Sequence, residues 1–419
     1  MAILLFAIST AFAADEMKDA KVRFPGSISY DKRATKLKIY IEGIRLDMDY
    51  LLKNMRYVDF VNDPAVADVH IIINSQVSGS GGHVYSLMYN NKTFENFGDF
   101  TITATTSSSD TYEEQRKKIK DALALGLMPY VNQTEASNRL ALRYQSKDQK
   151  IETTPIDDPW NSWTFRGDVS GSMNLEESRE IYNYYFNARA DKVTEEWRYR
   201  NSARRSVNTK NYTNEGEEYT SNNTSSYVSS SVVKSLSSRW STGLFGGYNN
   251  SNYSNIKYSM SLKPAIEYNI FPWDISDRKV FTIAYYIGPE WKKYYEETIY
   301  DKLDESLWEQ NIRLDLQIVQ TWGEVQAGLN ASNYMHDWSK NRITFNTDLS
   351  VRIVRGLSLR FGFRFENVHD QIYLPKGEIS LEDVLLNKVQ LPSTFELGTN
   401  FGVRIQFGSI YNNIVNNRL

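Results

Sequence analysis

One alternating segment constrains the fold of this chain more than any other feature. From Ile256 to Ile270 an apolar residue occupies every second position, and Lys, Ser, Ala, Glu and Asn fill the positions between. A period of two is the signature of a β-strand with one apolar face. Strands of soluble proteins average ~5–6 residues, whereas a tilted membrane strand needs ~9–11 residues in the hydrocarbon plus its ends. This length favours a membrane strand.

The same alternation recurs from Trp160 to the end of the chain and predicts twelve strands. We place them at 162–174, 180–192, 196–208, 224–235, 239–250, 254–271, 279–295, 307–320, 322–334, 341–354, 356–369 and 394–408. The longer predicted loops, 209–223, 296–306 and 370–393, all fall on one side, as in outer-membrane barrels. The prediction is a membrane all-β fold, a 12-stranded antiparallel transmembrane β-barrel over residues 160–419. A large soluble β-sandwich or a β-helix is the alternative.

Two of these loops differ in composition. Loop 209–223 is rich in Asn, Thr, Glu and Ser, which predicts a solvated, mobile segment. Loop 370–393 contains several apolar residues, which predict a short amphipathic helix that plugs the barrel mouth or docks on a neighbour. Seven tryptophans lie at predicted strand ends, where interfacial girdles occur: Trp163, Trp197, Trp240, Trp273, Trp291, Trp308 and Trp322.

Composition narrows the possible functions. The 48 basic and 51 acidic residues give a net charge of −3, which argues against a nucleic-acid partner. The absence of cysteine excludes disulfides, Cys-ligated zinc and thiol nucleophiles. The mean hydropathy of −0.51 and the lack of an 18-residue apolar run after the N-terminus exclude a bundle of membrane helices.

The N-terminal third carries export and domain signals. Residues 1–14 predict a signal peptide with Ala11-Phe12-Ala13 as its cleavage pattern, although no basic residue precedes Lys18. Residues 15–35 are predicted to be a linker, 36–131 a periplasmic α/β domain and 132–159 a connector. The domain order is β-α-β-β-β-α. Asp47 is the predicted N-cap of the first helix, and Asp110 with Glu113 is the predicted capping box of the second.

Charged residues on the polar sides of the predicted strands should line the barrel lumen. A twelve-strand barrel lies between those filled by side chains and those with an aqueous channel. Arginine–carboxylate pairs would close the lumen, whereas unpaired arginines would favour anions in a narrow pore. We favour a closed or very narrow lumen. The predicted lumen-lining residues are Arg166, Arg198, Arg200, Lys257, Lys263, Arg313, Arg360, Arg364, Glu366 and Arg404.

Two His-Asp pairs offer a different chemistry. His336-Asp337 and His369-Asp370 lie at predicted outer strand ends, with Ser332 and Ser339 nearby in sequence. A Ser-His-Asp arrangement would make a surface hydrolase. Histidine and aspartate side chains also ligate metals. Loop tips favour polar residues in any case, so we assign no catalytic, cofactor or metal site. His70 and His83 are interpreted as ordinary strand residues of the N-terminal domain.

Several motifs resemble those of one protein family. They are ADVHIIIN (67–74), the Gly-rich turn 79–82, DPW (158–160), VTEEW (193–197), YLPKG (373–377) and FGSIYNNIVNNR (407–418). The chain resembles a family of Gram-negative outer-membrane β-barrels with an N-terminal periplasmic α/β domain. The resemblance implies the barrel and the outer-membrane location, and it supplies no catalytic or transport residues.

These observations predict a non-enzymatic subunit or scaffold of an outer-membrane complex. Its partners would be outer-membrane lipid and a protein in the outer membrane or periplasm, with no cofactor. The unpaired sheet edges of the N-terminal domain would suit a partner strand. A narrow channel or transporter for a small solute is the first alternative. A surface hydrolase at the His-Asp rim is the second.

Overall fold

The computed structural model describes residues 36–405 apart from 80, 95–96, 140–157, 215, 355–356, 378–379, 381–382, 385 and 387. The predicted signal peptide, the linker up to residue 35 and the end of the chain lie outside these residues. Two parts are seen, a small α/β domain and a large antiparallel sheet. Among the described residues, no helix is both long and apolar enough to cross a membrane.

The N-terminal domain is a five-stranded sheet with two helices. Its strands are β1 (Leu37–Gly43), β2 (Val58–Phe60), β3 (Val69–Val77), β4 (His83–Asn91) and β5 (Phe100–Thr106), and its helices are α1 (Met48–Asn54) and α2 (Tyr112–Val131). The strand order is β2-β1-β3-β4-β5. β1 runs parallel to β2 and β3, and the other pairs are antiparallel. The short strand β2 is an addition to the predicted β-α-β-β-β-α order.

Helix starts follow local capping chemistry. Asp47 caps α1 by accepting a hydrogen bond from Tyr50 N at 3.0 Å, as predicted. The predicted Asp110–Glu113 capping box of α2 is wrong, because Thr111 and Glu114 form it one residue later. Both pairs have the required spacing, so the sequence pattern did not separate them. Ile119, Leu123 and Leu127 recur every four residues along α2, and all three are buried in the domain core.

The second part is a twelve-stranded antiparallel sheet in sequential order, which confirms the predicted strand number. Each strand pairs with its neighbours in sequence. The strands are β6 (Trp163–Glu176), β7 (Arg179–Val193), β8 (Trp197–Asn214), β9 (Glu217–Ser235), β10 (Trp240–Ser251), β11 (Ile256–Asn269), β12 (Lys279–Tyr294), β13 (Asp304–Gln320), β14 (Gly323–Tyr334), β15 (Asp337–Val354), β16 (Leu357–Val368) and β17 (Phe395–Ile405).

The connections define two ends of this sheet. The short-turn end holds the turns that follow β7, β9, β11 and β13, and the long-loop end holds residues 295–303 and 369–394. The predicted mobile loop 209–223 is wrong, since β8 and β9 continue as a paired hairpin to Asn214 and Glu217. Gly216, just before β9, has a φ of +87°. Polar Thr, Asn and Tyr side chains tolerate an exposed hairpin, so composition alone misled the prediction.

The predicted closure into a barrel is not seen in the described part of the chain. There, β6 pairs only with β7 and β17 only with β16, which leaves both as edge strands. Their apolar side chains are strongly exposed: Val169 on β6 by 78% and Phe401 on β17 by 85%. The established architecture is therefore a twelve-stranded antiparallel sheet beside a small α/β domain.

Candidate functional site

The two faces of the twelve-stranded sheet differ in an unusual way. On β11 the apolar residues Met260, Leu262 and Ile266 are exposed by 47%, 44% and 46%. The polar residues Ser259 and Asn269, on the opposite face of the same strand, are exposed by only 7% and 0%. A sheet folded in water places its apolar side chains inside. We call the side that carries Met260 the apolar face and the side that carries Ser259 the polar face.

Ladder registers place nine of the ten predicted lumen-lining residues on the polar face. Directly paired residues of neighbouring strands share a face, and such pairs include Asp191 with Arg200 and Arg360 with Gly402. The nine are Arg166, Arg198, Arg200, Lys263, Arg313, Arg360, Arg364, Glu366 and Arg404. Lys257 is different, because it lies between Ile256 and Tyr258 where the register of β11 shifts. It is exposed at this bulge, and the ladder assigns it to neither face.

Ion pairs cross the polar face toward the long-loop end. Lys263 Nζ lies 2.6 Å from a carboxylate oxygen of Glu309, two strands away. Arg342 contacts Glu366, and its Nε donates to both carboxylate oxygens of Asp370 at 3.0 Å. Neutralising charges within one protein lowers the cost of holding them out of water. The pairing agrees with the closed arrangement that we favour over an open pore.

The YLPKG segment covers the long-loop end of the polar face. Ile372 is 6% exposed and packs against Leu307 and Tyr334. The amide of Ile299 donates to Leu374 O at 2.9 Å, and Asn255 Nδ2 donates to Tyr373 O at 3.0 Å. The loop therefore folds over this end, as one predicted role required. Residues 383 and 384 form a helical turn, while Ile379, Leu381 and Leu385 of the predicted helix lie outside the described residues.

One face of β3 docks the N-terminal domain against the short-turn end. Ile72 packs with Met88 and Val319 of β13. The next two residues on this face of β3 are Asn74 and Gln76. Asn74 Nδ2 donates to Asp277 O, and Gln76 Nε2 donates to Ser276 O at 2.9 Å. Successive side chains of a strand alternate between faces, so these contacts form one row. The other row of β3, which includes Ile71 and Ile73, packs in the domain core.

A charged cluster reinforces this junction. Arg352 of β15 contacts the Glu42 carboxylate and donates a hydrogen bond to Tyr40 Oη at 2.7 Å. Its guanidinium lies 5.1 Å from the Tyr40 ring centroid, within cation–π range. Burial alone would raise the pKa of Glu42, but the neighbouring His70 and Arg352 side chains lower it overall. The cluster therefore favours an ionised Glu42.

His70 completes this cluster and is not an ordinary strand residue. Its side chain is 1% exposed, and Nε2 lies 2.9 Å from Glu42 Oε1. Neither ring nitrogen of His70 has a hydrogen-bond partner among the described residues, so the contact with Glu42 is a close approach of the two side chains. The sequence did carry a signal, because His70, Asn74 and Gln76 interrupt one face of an otherwise apolar strand.

A hairpin of the N-terminal domain reaches the other side of the same end. Thr164 Oγ1 of β6 donates to Gly79 O at 3.1 Å, and Arg166 donates to Gly81 O at 2.8 Å. Gly81 has a φ of +77°, which favours glycine in this turn. Contacts of the domain therefore extend from β6 to β15, across most of the short-turn end.

The two His-Asp pairs do not assemble a catalytic triad. Asp337 accepts hydrogen bonds from the amide and hydroxyl of Ser339 at 3.0 and 2.6 Å. Asp370 is held by Arg342. Neither His336 nor His369 has a described carboxylate within 4.0 Å of its ring nitrogens, and the described residues contain no group of three metal-ligating side chains. The geometry does not support a hydrolase here.

No protein-family model matches this chain, and no curated protein is detectably similar to it. The resemblance to outer-membrane barrels stays a prediction from the sequence motifs.

Proposed function

We propose that this protein is an outer-membrane β-barrel that acts as a non-enzymatic subunit or scaffold of an outer-membrane complex. The exposure of apolar residues on one face of β11, with the polar residues Ser259 and Asn269 buried on its other face, is the observation that carries the membrane assignment. Exposed apolar surface of this extent favours lipid over water at about 25 cal/mol per Å². In this proposal β6 and β17 pair to close the sheet, because an open edge in lipid would leave backbone groups unsatisfied.

Three features support a scaffold over an open channel. The N-terminal domain covers the short-turn end, the YLPKG segment covers the long-loop end, and ion pairs such as Lys263–Glu309 cross the polar face between them. In this proposal the two covers and the ion pairs would obstruct the passage of a solute along the polar face. A narrow channel for a small solute is the alternative, and it would require displacement of one of these covers.

Exposed apolar side chains at the long-loop end suit a protein partner. Trp338 and Leu303 are exposed by 69% and 55%, and Ile299 and Tyr300 lie on the same loop as Leu303. Aromatic residues exposed in such clusters are enriched in protein interfaces. This surface is an addition to the one predicted in loop 370–393, where Ile372, Leu374 and Leu386 are buried and Ile379, Leu381 and Leu385 lie outside the described residues.

Matched substitutions on one strand test the membrane assignment. Leu262→Arg places a charge on the apolar face, and Ser261→Arg places it on the polar face. An arginine facing lipid near the bilayer midplane costs ~2–4 kcal/mol. Leu262→Arg should therefore reduce folding into lipid vesicles, measured by protease protection, much more than Ser261→Arg does. Equal effects, or better solubility of Leu262→Arg without detergent, would point to a soluble sheet.

Purification in mild detergent tests the scaffold. A partner should accompany the protein in a fixed ratio, and Trp338→Ser should lower that ratio. Trp160→Ser is the control, because Trp160 is similarly exposed, by 64%, but precedes β6 at the short-turn end. A protein that purifies alone and conducts ions in bilayers, with a conductance changed by Arg360→Ala, would support the channel instead.

A further inference from the structure

A basic cavity lies between the N-terminal hairpin and the polar face. It has a volume of about 500 Å³ and is bounded by Val77, Ser78, Gly79 and Gly81 on one side and by strands β6 to β11 on the other. Four cationic side chains and one carboxylate line it: Arg166, Arg189, Arg200, Lys263 and Asp191. A cavity of this size falls within the range of small-molecule sites.

The strand register concentrates positive charge in this cavity. Arg166 and Arg189 are direct cross-strand partners, an arrangement that destabilises a sheet when both residues carry the same charge. Arg166 donates to Gly81 O. Within the described part of the chain, the side chains of Arg189 and Arg200 make no ion pair or hydrogen bond. The guanidinium groups of Arg189 and Arg200 therefore face the cavity without an ion-pair partner, although Asp191 is the direct cross-strand neighbour of Arg200.

Hydroxyl groups continue the polar lining between the arginines and Lys263. Arg189 pairs with Ser202 on β8, and Arg200 pairs with Asp191 on β7 and with Ser231 on β9. The Oγ atoms of Ser202 and Ser229 are 2.8 Å apart, which brings one further hydroxyl, that of Ser229, to the same wall. Arginine and hydroxyl donors together match the oxygens of a phosphate, which arginine can bind with two parallel hydrogen bonds.

We propose that this cavity binds a phosphate monoester, with Arg189 and Arg200 as its principal ligands and Arg166 as a third cation. The bound dianion would offset the like-charge pair of Arg166 and Arg189. The cavity exceeds the size of a bare phosphate ion, so a phosphorylated small molecule or the phosphate of a lipid headgroup fits it. The site does not depend on whether the protein is a scaffold or a channel.

Calorimetric titration of the full chain in uncharged detergent tests the site. The probes are inorganic phosphate, glycerol 3-phosphate and phosphatidic acid in mixed micelles, with chloride at matched ionic strength as the reference. Losing a hydrogen bond to a charged group should weaken binding by roughly tenfold or more. Arg189→Gln should therefore raise the dissociation constant of glycerol 3-phosphate by this factor, and Arg360→Gln, on the same face outside the cavity, should leave it unchanged.

A second readout separates binding from a structural role. Without ligand, Arg189→Gln should unfold at the same or a higher temperature than the natural chain, because it removes a like-charge contact. Preference for phosphatidic acid over glycerol 3-phosphate would identify a lipid headgroup, and the reverse would identify a soluble ester. Phosphate probes that bind no better than chloride, or equal losses in Arg189→Gln and Arg360→Gln, would overturn the proposal.

Discussion

Replacing Arg352 by methionine should loosen the N-terminal domain from the twelve-stranded sheet. Arg352 joins β15 to two residues of β1, the Glu42 carboxylate and the Tyr40 hydroxyl. Methionine keeps most of the apolar stem but none of the donors. The substitution also leaves Glu42 with only His70 beside it, and a partly buried carboxylate that loses a partner is costly.

The magnitude follows from the geometry. Hydrogen bonds to charged groups contribute ~1.5–3 kcal/mol each, but the Arg352 and Glu42 side chains remain 21% and 20% exposed, so solvent screens part of this. We expect a loss of ~2–3 kcal/mol in docking free energy. This corresponds to a change of about 30- to 150-fold in the ratio of docked to undocked protein.

Spin labels can measure this directly, since the chain contains no cysteine. Cysteines introduced at the exposed positions Lys53 and Glu195 place one label on α1 and one in the turn after β7. Pulsed electron paramagnetic resonance should give a narrow distance distribution that broadens at lower urea concentration in Arg352→Met. Arg404→Met, on the same polar face, is the control.

A double-mutant cycle with Glu42→Gln isolates the contact between the two residues. The coupling free energy should exceed ~1 kcal/mol if the pair holds the domain, since the pair is largely shielded from water. Unchanged urea midpoints in Arg352→Met, or a coupling below ~0.5 kcal/mol, would refute this account of the junction.

Three further outcomes are expected. The pKa of Glu42 is lowered from 4.5 in the folded protein. Docking should therefore be constant above pH 4.5 and weaken as the pH falls below it. Glu42→Gln should remove this pH dependence in the same spin-label experiment. Gly126→Ala should lower the free energy of unfolding by ~1–3 kcal/mol, because an added Cβ would overlap the Tyr89 ring. Gly98 faces open space, so Gly98→Ala should leave the thermal midpoint of unfolding unchanged. Ile372→Asp should detach the YLPKG segment, because it buries a charge beside Leu307 and Tyr334, and should raise bilayer conductance above the level of the natural chain if that segment closes the path.

Local patterns predicted the strands well. The segment predicted at 254–271 is observed at Ile256–Asn269, and the one predicted at 279–295 is observed at Lys279–Tyr294. A strand's period of two is a property of neighbouring residues, so one sequence carries it. The prediction failed at 209–223, where polar side chains that suit a solvated loop also suit an exposed hairpin.

Pairings between distant residues were not predictable in the same way. The alternation assigned Arg200 and Lys263 to the polar side of their strands but did not show which cations have a partner. The register gives Lys263 a partner in Glu309 and sets Arg166 opposite Arg189. A shift of one residue would reverse the face of every side chain, so such contacts depend on the register of each strand pair.

The sequence by itself determined the strand number, the two contrasting faces of the large sheet and the presence of a separate α/β domain, because each depends on local periodicity. Only the tertiary structure decided how the domain sits on the sheet. Glu42 and Arg352 meet across 310 residues of chain, and His70 becomes part of their cluster only when β3 docks. These contacts arise from packing between distant segments, and no local pattern encodes which surfaces will meet.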